Sequence, residues 1–279
     1  MVSQTFKLYR YQLLPIDRHT HDLFLQRTLR ELIEEKNLIF QNALQSLSVY
    51  KYRNATLSLR VESDRVDAMV IQLAPPRSLT RETADFRRER VEHWPHVNVV
   101  VLNRPDEQYF LIQDRQAAFA NTDIVVKIIE RATREQLARA GLRLHVEQMF
   151  EKSEFWNLVE IYRGKIVWVE FEFITPNMAN ISRTLSQSLK DLSKETNAFK
   201  TEIEIEADPQ SSLNLQPSNE TVNGLVDYTS EGGGGIRMRV KGFRKIIRAN
   251  NKYREVSIDE LTMSGGLPEM IRVVREILK

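Results

Sequence analysis

The stretch from Ser230 to Glu255, SEGGGGIRMRVKGFRKIIRANNKYRE, constrains this chain more than any other. It opens with four consecutive glycines, Gly232, Gly233, Gly234 and Gly235. They lack the spacing of a dinucleotide fingerprint, and no Lys-Ser or Lys-Thr follows as in a phosphate-binding loop. A flexible hinge is the expected use. Ile236, Met238 and Val240 then alternate with Arg237, Arg239 and Lys241, so a strand carries its cations on one face. Gly242 permits a break or bulge, and Ala249-Asn250-Asn251-Lys252 suggests a turn. Tyr253 to Ile258 is the expected return strand of a basic β-ribbon.

Between Ile236 and Arg254 there are eight Lys or Arg and no Asp or Glu. Arg237, Arg239, Lys241, Arg244, Lys245, Arg248, Lys252 and Arg254 are therefore the candidate nucleic-acid contacts, since cations that neutralise phosphates release condensed counterions. Phe243 and Tyr253 lie among them and could stack on a base or sugar. A solvated strand face, or one paired with acidic strands elsewhere, is the competing reading. The acidic strand exists: Glu202, Glu204, Glu206 and Asp208 alternate with Ile203, Ile205 and Ala207.

The remaining pattern predicts an α+β fold: antiparallel or mixed sheets with packed helices, in two lobes, 1–141 and 142–279. Strands are expected over Thr5–Leu14, Thr56–Glu62, Ala68–Leu73, Val97–Leu102, Tyr109–Gln113, Leu142–Phe150, Lys165–Thr175 and Thr201–Asp208. In Lys165–Thr175, Val167, Val169, Phe171 and Phe173 face one way, and Trp168, Glu170 and Glu172 the other. Helices are expected over Asp17–Ser46 (capped by Thr20 or Asp22), from Asn121 or Thr122 to Ala140, over Ser153–Tyr162, Met178–Thr196 and Asn219–Tyr228 (capped by Ser218), and over Glu269–Lys279. Ala74 to His96, with its Arg-rich centre, is expected to form a surface helix, with a second phosphate-contact patch as the alternative.

Chemistry has few footholds. With no cysteine in the chain, disulfides, thiolate catalysis and thiolate metal sites are excluded. No nucleophile elbow, HExxH, Walker A or kinase loop occurs. His19, His21, His93, His96 and His145 form no set with metal-ligand spacing. Glu170, Glu172, Glu202 and Glu204 could gather around Mg²⁺ as in a metal-dependent nuclease, with Lys200 or Lys165 nearby. Cross-strand ion pairing is the cheaper explanation. No catalytic residue, metal or cofactor is assigned. No secretory leader and no run of about 18 apolar residues is present, so a cytoplasmic chain without a membrane span is expected.

The run Arg143-Leu-His-Val-Glu-Gln-Met-Phe-Glu-Lys-Ser-Glu-Phe, followed by Tyr162-Arg-Gly-Lys-Ile-Val-Trp-Val-Glu-Phe, resembles the strand-spacer-strand region of the RexA-like phage-exclusion family. That group includes the DNA-binding subunit of the Kiwa anti-phage system. The resemblance covers the second half of the chain; the first 140 residues and the glycine run depart from it. It implies a homodimer that binds double-stranded DNA without sequence preference and senses or blocks phage replication with a second subunit. It carries over no catalytic residue. A nuclease effector using the strand carboxylates, and a scaffold whose ribbon docks on an acidic protein, are the alternatives.

Overall fold

The computed structural model describes residues 3–17, 28–63, 67–174, 191–192, 195–249, 252–259, 262 and 266–278. His19, His21, the Asn250-Asn251 turn and nearly all of the helix expected over Met178–Thr196 lie outside them. The fold is α+β with antiparallel sheets, as the sequence pattern predicts. Among the described residues there are five α-helices and fourteen strands.

The strands are β1 (Ser3–Pro15), β2 (Val49–Tyr52), β3 (Ala55–Ser63), β4 (Ala68–Ala74), β5 (Arg77–Glu82), β6 (Arg88–His93), β7 (Val97–Arg104), β8 (Glu107–Gln113), β9 (Leu142–Gln148), β10 (Ile166–Ile174), β11 (Lys200–Glu206), β12 (Gly234–Val240), β13 (Ile247–Arg248) and β14 (Glu255–Asp259). The helices are α1 (Leu29–Gln45), α2 (Thr122–Arg139), α3 (Lys152–Ile161), α4 (Glu220–Tyr228) and α5 (Leu267–Ile277).

The chain divides into two compact units, but not at a single cut near residue 141. The first comprises 1–7, 27–144 and 255–279; the second comprises 8–26 and 145–254. The reason is strand pairing. β14 runs antiparallel to β1, with Ser3 opposite Asp259 and Lys7 opposite Glu255, so the C-terminal segment joins the first unit.

In the first unit the large sheet has the order β14-β1-β8-β7-β4-β3-β2. β7 is buried from Val97 to Asn103, which explains its unbroken apolar run. α1 begins with a capping box: Thr28 Oγ1 accepts from the Glu31 amide, and the Glu31 carboxylate accepts from the Thr28 amide at 2.7 Å. α2 is capped by Asn121 Oδ1, which accepts from the Ile124 amide at 3.1 Å. Gly141, at φ 77°, ends it. Residues 77–93 are a two-stranded hairpin, β5 with β6, not the expected surface helix. Arg81–Glu89 and Arg88–Glu82 ion pairs cross it, one on each face.

The second unit is built on a four-stranded sheet, β11-β10-β12-β13. Val169, Phe171, Phe173, Ile236 and Met238 point into a core with Phe155 of α3 and Val222, Leu225 and Val226 of α4. The register of β10 against β12 shifts between Ile166 and Trp168. Ile166 consequently takes the core position expected of Val167, which is only half-buried. α3 starts without a side-chain cap, and α4 is capped by Asn219 rather than Ser218.

The glycine run does not sit as a hinge. It forms a buried π-turn, Thr229–Gly233, that feeds β12. A Cβ on Gly233 would lie 2.2 Å from the Tyr228 ring, and one on Gly234 would lie 1.9 Å from the Glu172 carbonyl oxygen. Close backbone passage is what these positions require.

Candidate nucleic-acid interface

The outer face of the second unit's sheet carries a charge gradient. β11 presents Glu202, Glu204 and Glu206, β10 presents Trp168, Glu170 and Glu172, and β12 presents Arg237 and Arg239. Glu170 stands between Glu204 on one side and Arg237 on the other. Arg248 of β13 lies opposite Arg237. The acidic and basic strands are thus separated by β10 rather than paired directly.

Arg237 is absorbed by this gradient. Its Nη2 contacts Glu170 Oε1 and lies 3.2 Å from Glu172 Oε2 and 3.4 Å from Glu202 Oε1. Lys200 Nζ lies 3.2 Å from Glu172 and 2.7 Å from Glu202. Burial pushes the Glu170 carboxyl above its ordinary range, and the Arg237 guanidinium pulls against that shift. A hydrogen bond from Lys200 holds Glu202 below the usual carboxylate range. One oxygen from each of Glu170, Glu172 and Glu202 could meet at a cation, all within 4.8 Å. Two side-chain cations already stand among them, so the geometry is that of an ion-pair network.

Arg237 was expected at a phosphate; its side chain is instead committed to carboxylates. Arg237→Gln should lower stability by about 2 kcal/mol, short of the roughly 3–5 kcal/mol for a fully buried pair, because Arg237 keeps about a third of its surface in solvent. Nucleic-acid affinity should be unchanged. Urea unfolding beside a gel shift checks both halves, and a large affinity loss with full stability would return Arg237 to the interface.

The other cations fall into two groups. Arg239 lies over the Trp168 ring with its Cζ 5.1 Å from the centroid, leaving the guanidinium exposed. Lys252 pairs with Glu154 at 3.0 Å, and Arg254 with Glu231 at 3.0 Å and Glu151 at 3.4 Å. Tyr253 is half-buried against Tyr9, with ring centroids 5.7 Å apart, so it is not a stacking platform. The return strand that should have displayed these residues pairs with β1 instead, because β14 completes the first unit's sheet.

Lys241, Arg244, Lys245 and Arg248 remain. All four are exposed, and none forms an ion pair among the described residues. Lys241, Arg244 and Lys245 sit on one excursion between β12 and β13, and Arg248 follows on β13 itself. Gly242, at φ 86°, turns the chain out of β12, and the Phe243 amide donates to Val240 at 3.0 Å. The Ala249 amide donates to Ile236 at 3.1 Å and closes the excursion. Phe243 and Ile246 are each about half exposed at its tip. Phe243 meets Tyr162 edge to face at 5.3 Å, which steadies its ring without covering it.

Sequence counting gave all eight cations equal standing. What separated them was the position of carboxylates on neighbouring strands, and the sequence signal for that was Glu170 and Glu172 sharing one face of their strand. No protein-family model, curated protein or solved structure matches this chain.

Proposed function

We propose that this chain binds nucleic acid through the basic stretch 241–248. The observation that carries the reading is the cluster of Lys241, Arg244, Lys245 and Arg248. These cations have no carboxylate partner among the described residues and are interleaved with the exposed Phe243. A folded chain leaves such a cluster solvated at little cost, but a polyanion gains counterion release by covering it. Contacts of this kind set position and orientation without reading bases. The chain acts here as a binder, with Arg237 and the strand glutamates as framework. The part played in anti-phage defence, with a second copy and a partner subunit, rests on the resemblance of residues 143–171 to the phage-exclusion family.

Lys241→Glu/Arg244→Glu/Lys245→Glu should abolish the gel shift on random-sequence duplex DNA and leave the melting temperature within a few degrees of wild type, since all three side chains are exposed. For the wild type, log K against log salt should fall with a slope of about −3, as three or four phosphates engaged would give. No shift at low salt for the wild type, or full binding by the triple variant, would falsify the reading.

A further inference from the structure

The turn that follows α3 joins the basic excursion to a cleft. Tyr162 packs on Phe243, Arg163 and Gly164 line the cleft, and the Lys165 carbonyl accepts from the Lys241 amide at 2.7 Å. The cleft holds about 740 Å³, within the range of small-ligand sites. α3 supplies one wall with Trp156 and Val159; the loop from Ser212 to Ser218 supplies the other, with Leu213 and Leu215 as its apolar floor. The Leu213 amide donates to the Ile166 carbonyl at 2.7 Å, which pins that loop to the first residue of β10.

The polar groups of this cleft are incompletely used. Trp156 meets Phe155 edge to face at 4.9 Å, and its buried indole Nε1–H has no acceptor among the described residues. At the rim, Asn214 Oδ1 accepts from Gln216 Nε2 at 3.2 Å, and Gln216 Oε1 accepts from Ser218 at 3.4 Å. Each amide therefore retains N–H capacity for a further acceptor.

We infer that this cleft takes one unpaired base of a nucleic-acid strand whose phosphates lie on Lys241, Arg244 and Lys245. The inference rests on the nucleic-acid reading above and adds a preference to it. A flat heteroaromatic ring matches a slot with an indole and aliphatic side chains in its walls, and the ring's edge offers acceptors to the rim amides. The cations adjoin the cleft through the Tyr162–Phe243 contact and the Lys165–Lys241 hydrogen bond. A fully paired duplex cannot insert a base without unstacking it, so DNA with single-stranded character is the better partner.

The test uses the full chain, with anisotropy of a labelled oligothymidylate and of a mixed-sequence duplex of equal length at one salt concentration. The wild type should bind the single strand about tenfold more tightly than the duplex, the scale of one stacked base. Asn214→Ala/Gln216→Ala, at exposed positions, and Trp156→Leu, which removes the aromatic wall, should each erase most of that preference and leave duplex affinity unchanged. Thermal melts confirm that the variants fold. Equal affinity for both DNAs, or variants that keep the preference, overturns the cleft while leaving the basic excursion in place. Loss of all binding in the wild type overturns both. Thymidine monophosphate binding that survives Lys241→Glu/Arg244→Glu/Lys245→Glu at wild-type affinity assigns the cleft to a free nucleotide and overturns occupancy by a strand.

Discussion

Lys36→Met is expected to stabilise the first unit by about 3 kcal/mol at pH 7. α1 puts Lys36 on the same buried stripe as Leu32, Phe40 and Ala43, with 2 % of its surface exposed. No carboxylate pairs with it among the described residues. Burial lowers its ammonium from 10.5 to about 8. The sign follows from proton counting. Between pH 8 and 10.5 the unfolded chain holds this proton more tightly than the folded one, so stability climbs with pH across that window. Below pH 8 the full penalty stands. Methionine fills a similar volume without a charge and removes it. Denaturant titrations of wild type and variant at pH 7 and pH 10 should show a gap that narrows at the higher pH. Equal stabilities at pH 7 would mean that the ammonium reaches water.

Gly234→Ala is expected to cost about 3 kcal/mol or more and to unfold the second unit's sheet first. Gly234 has φ 154° and ψ −149°, a region essentially confined to glycine. A methyl there would sit 1.9 Å from the Glu172 carbonyl oxygen, which belongs to the neighbouring strand and cannot swing aside. Gly235 pairs with Glu172, so the disturbance enters β10 where the carboxylate network begins. Gly242→Ala is the control: its φ of 86° is also positive, but a methyl there meets nothing within 4 Å. It should cost only about 1 kcal/mol, the price of the backbone conformation alone. Circular dichroism melts of the two variants separate crowding from strain. If both lose equally little, the π-turn relaxes and the glycines serve the flexible role first expected of them.

The contrast between these glycines shows where sequence reasoning reached and where it stopped. Local signals carried far. Asn121 and Gly141 bracket α2, the apolar run Val97–Leu102 marks a buried strand, and Trp168, Glu170 and Glu172 share the face that alternation assigns them. Non-local facts were not written in any short window. A run of glycines has the same composition whether it swings freely or threads past a tyrosine ring. β5 and β6 each offer one large aliphatic residue, Leu79 and Val91, so their strand period was hidden beneath arginines and glutamates that suit a helix surface equally well. Tyr253 to Ile258 was recognisable as extended chain, but its partner is β1, at the far end of the sequence. The site suffered from the same blindness. Arg237 and Arg244 are alike by composition, and only the register that sets Glu170 opposite Arg237 makes one a framework ion and leaves the other bare.

The pairing of β1 with β14 also dictates an order of assembly. Ser3 and Asp259 are joined across nearly the whole length of the sequence, and such a contact forms late because the intervening chain must be closed into a loop first. During synthesis β1 leaves the ribosome long before its neighbour exists. Residues 145–254 then emerge as one continuous block that can meet 8–26 and complete the second unit, while the first unit still lacks 255–279. A nascent chain halted before residue 255 therefore carries one finished unit and an open sheet edge on the other. That edge is the template to which a foreign strand, or a second nascent copy, can pair.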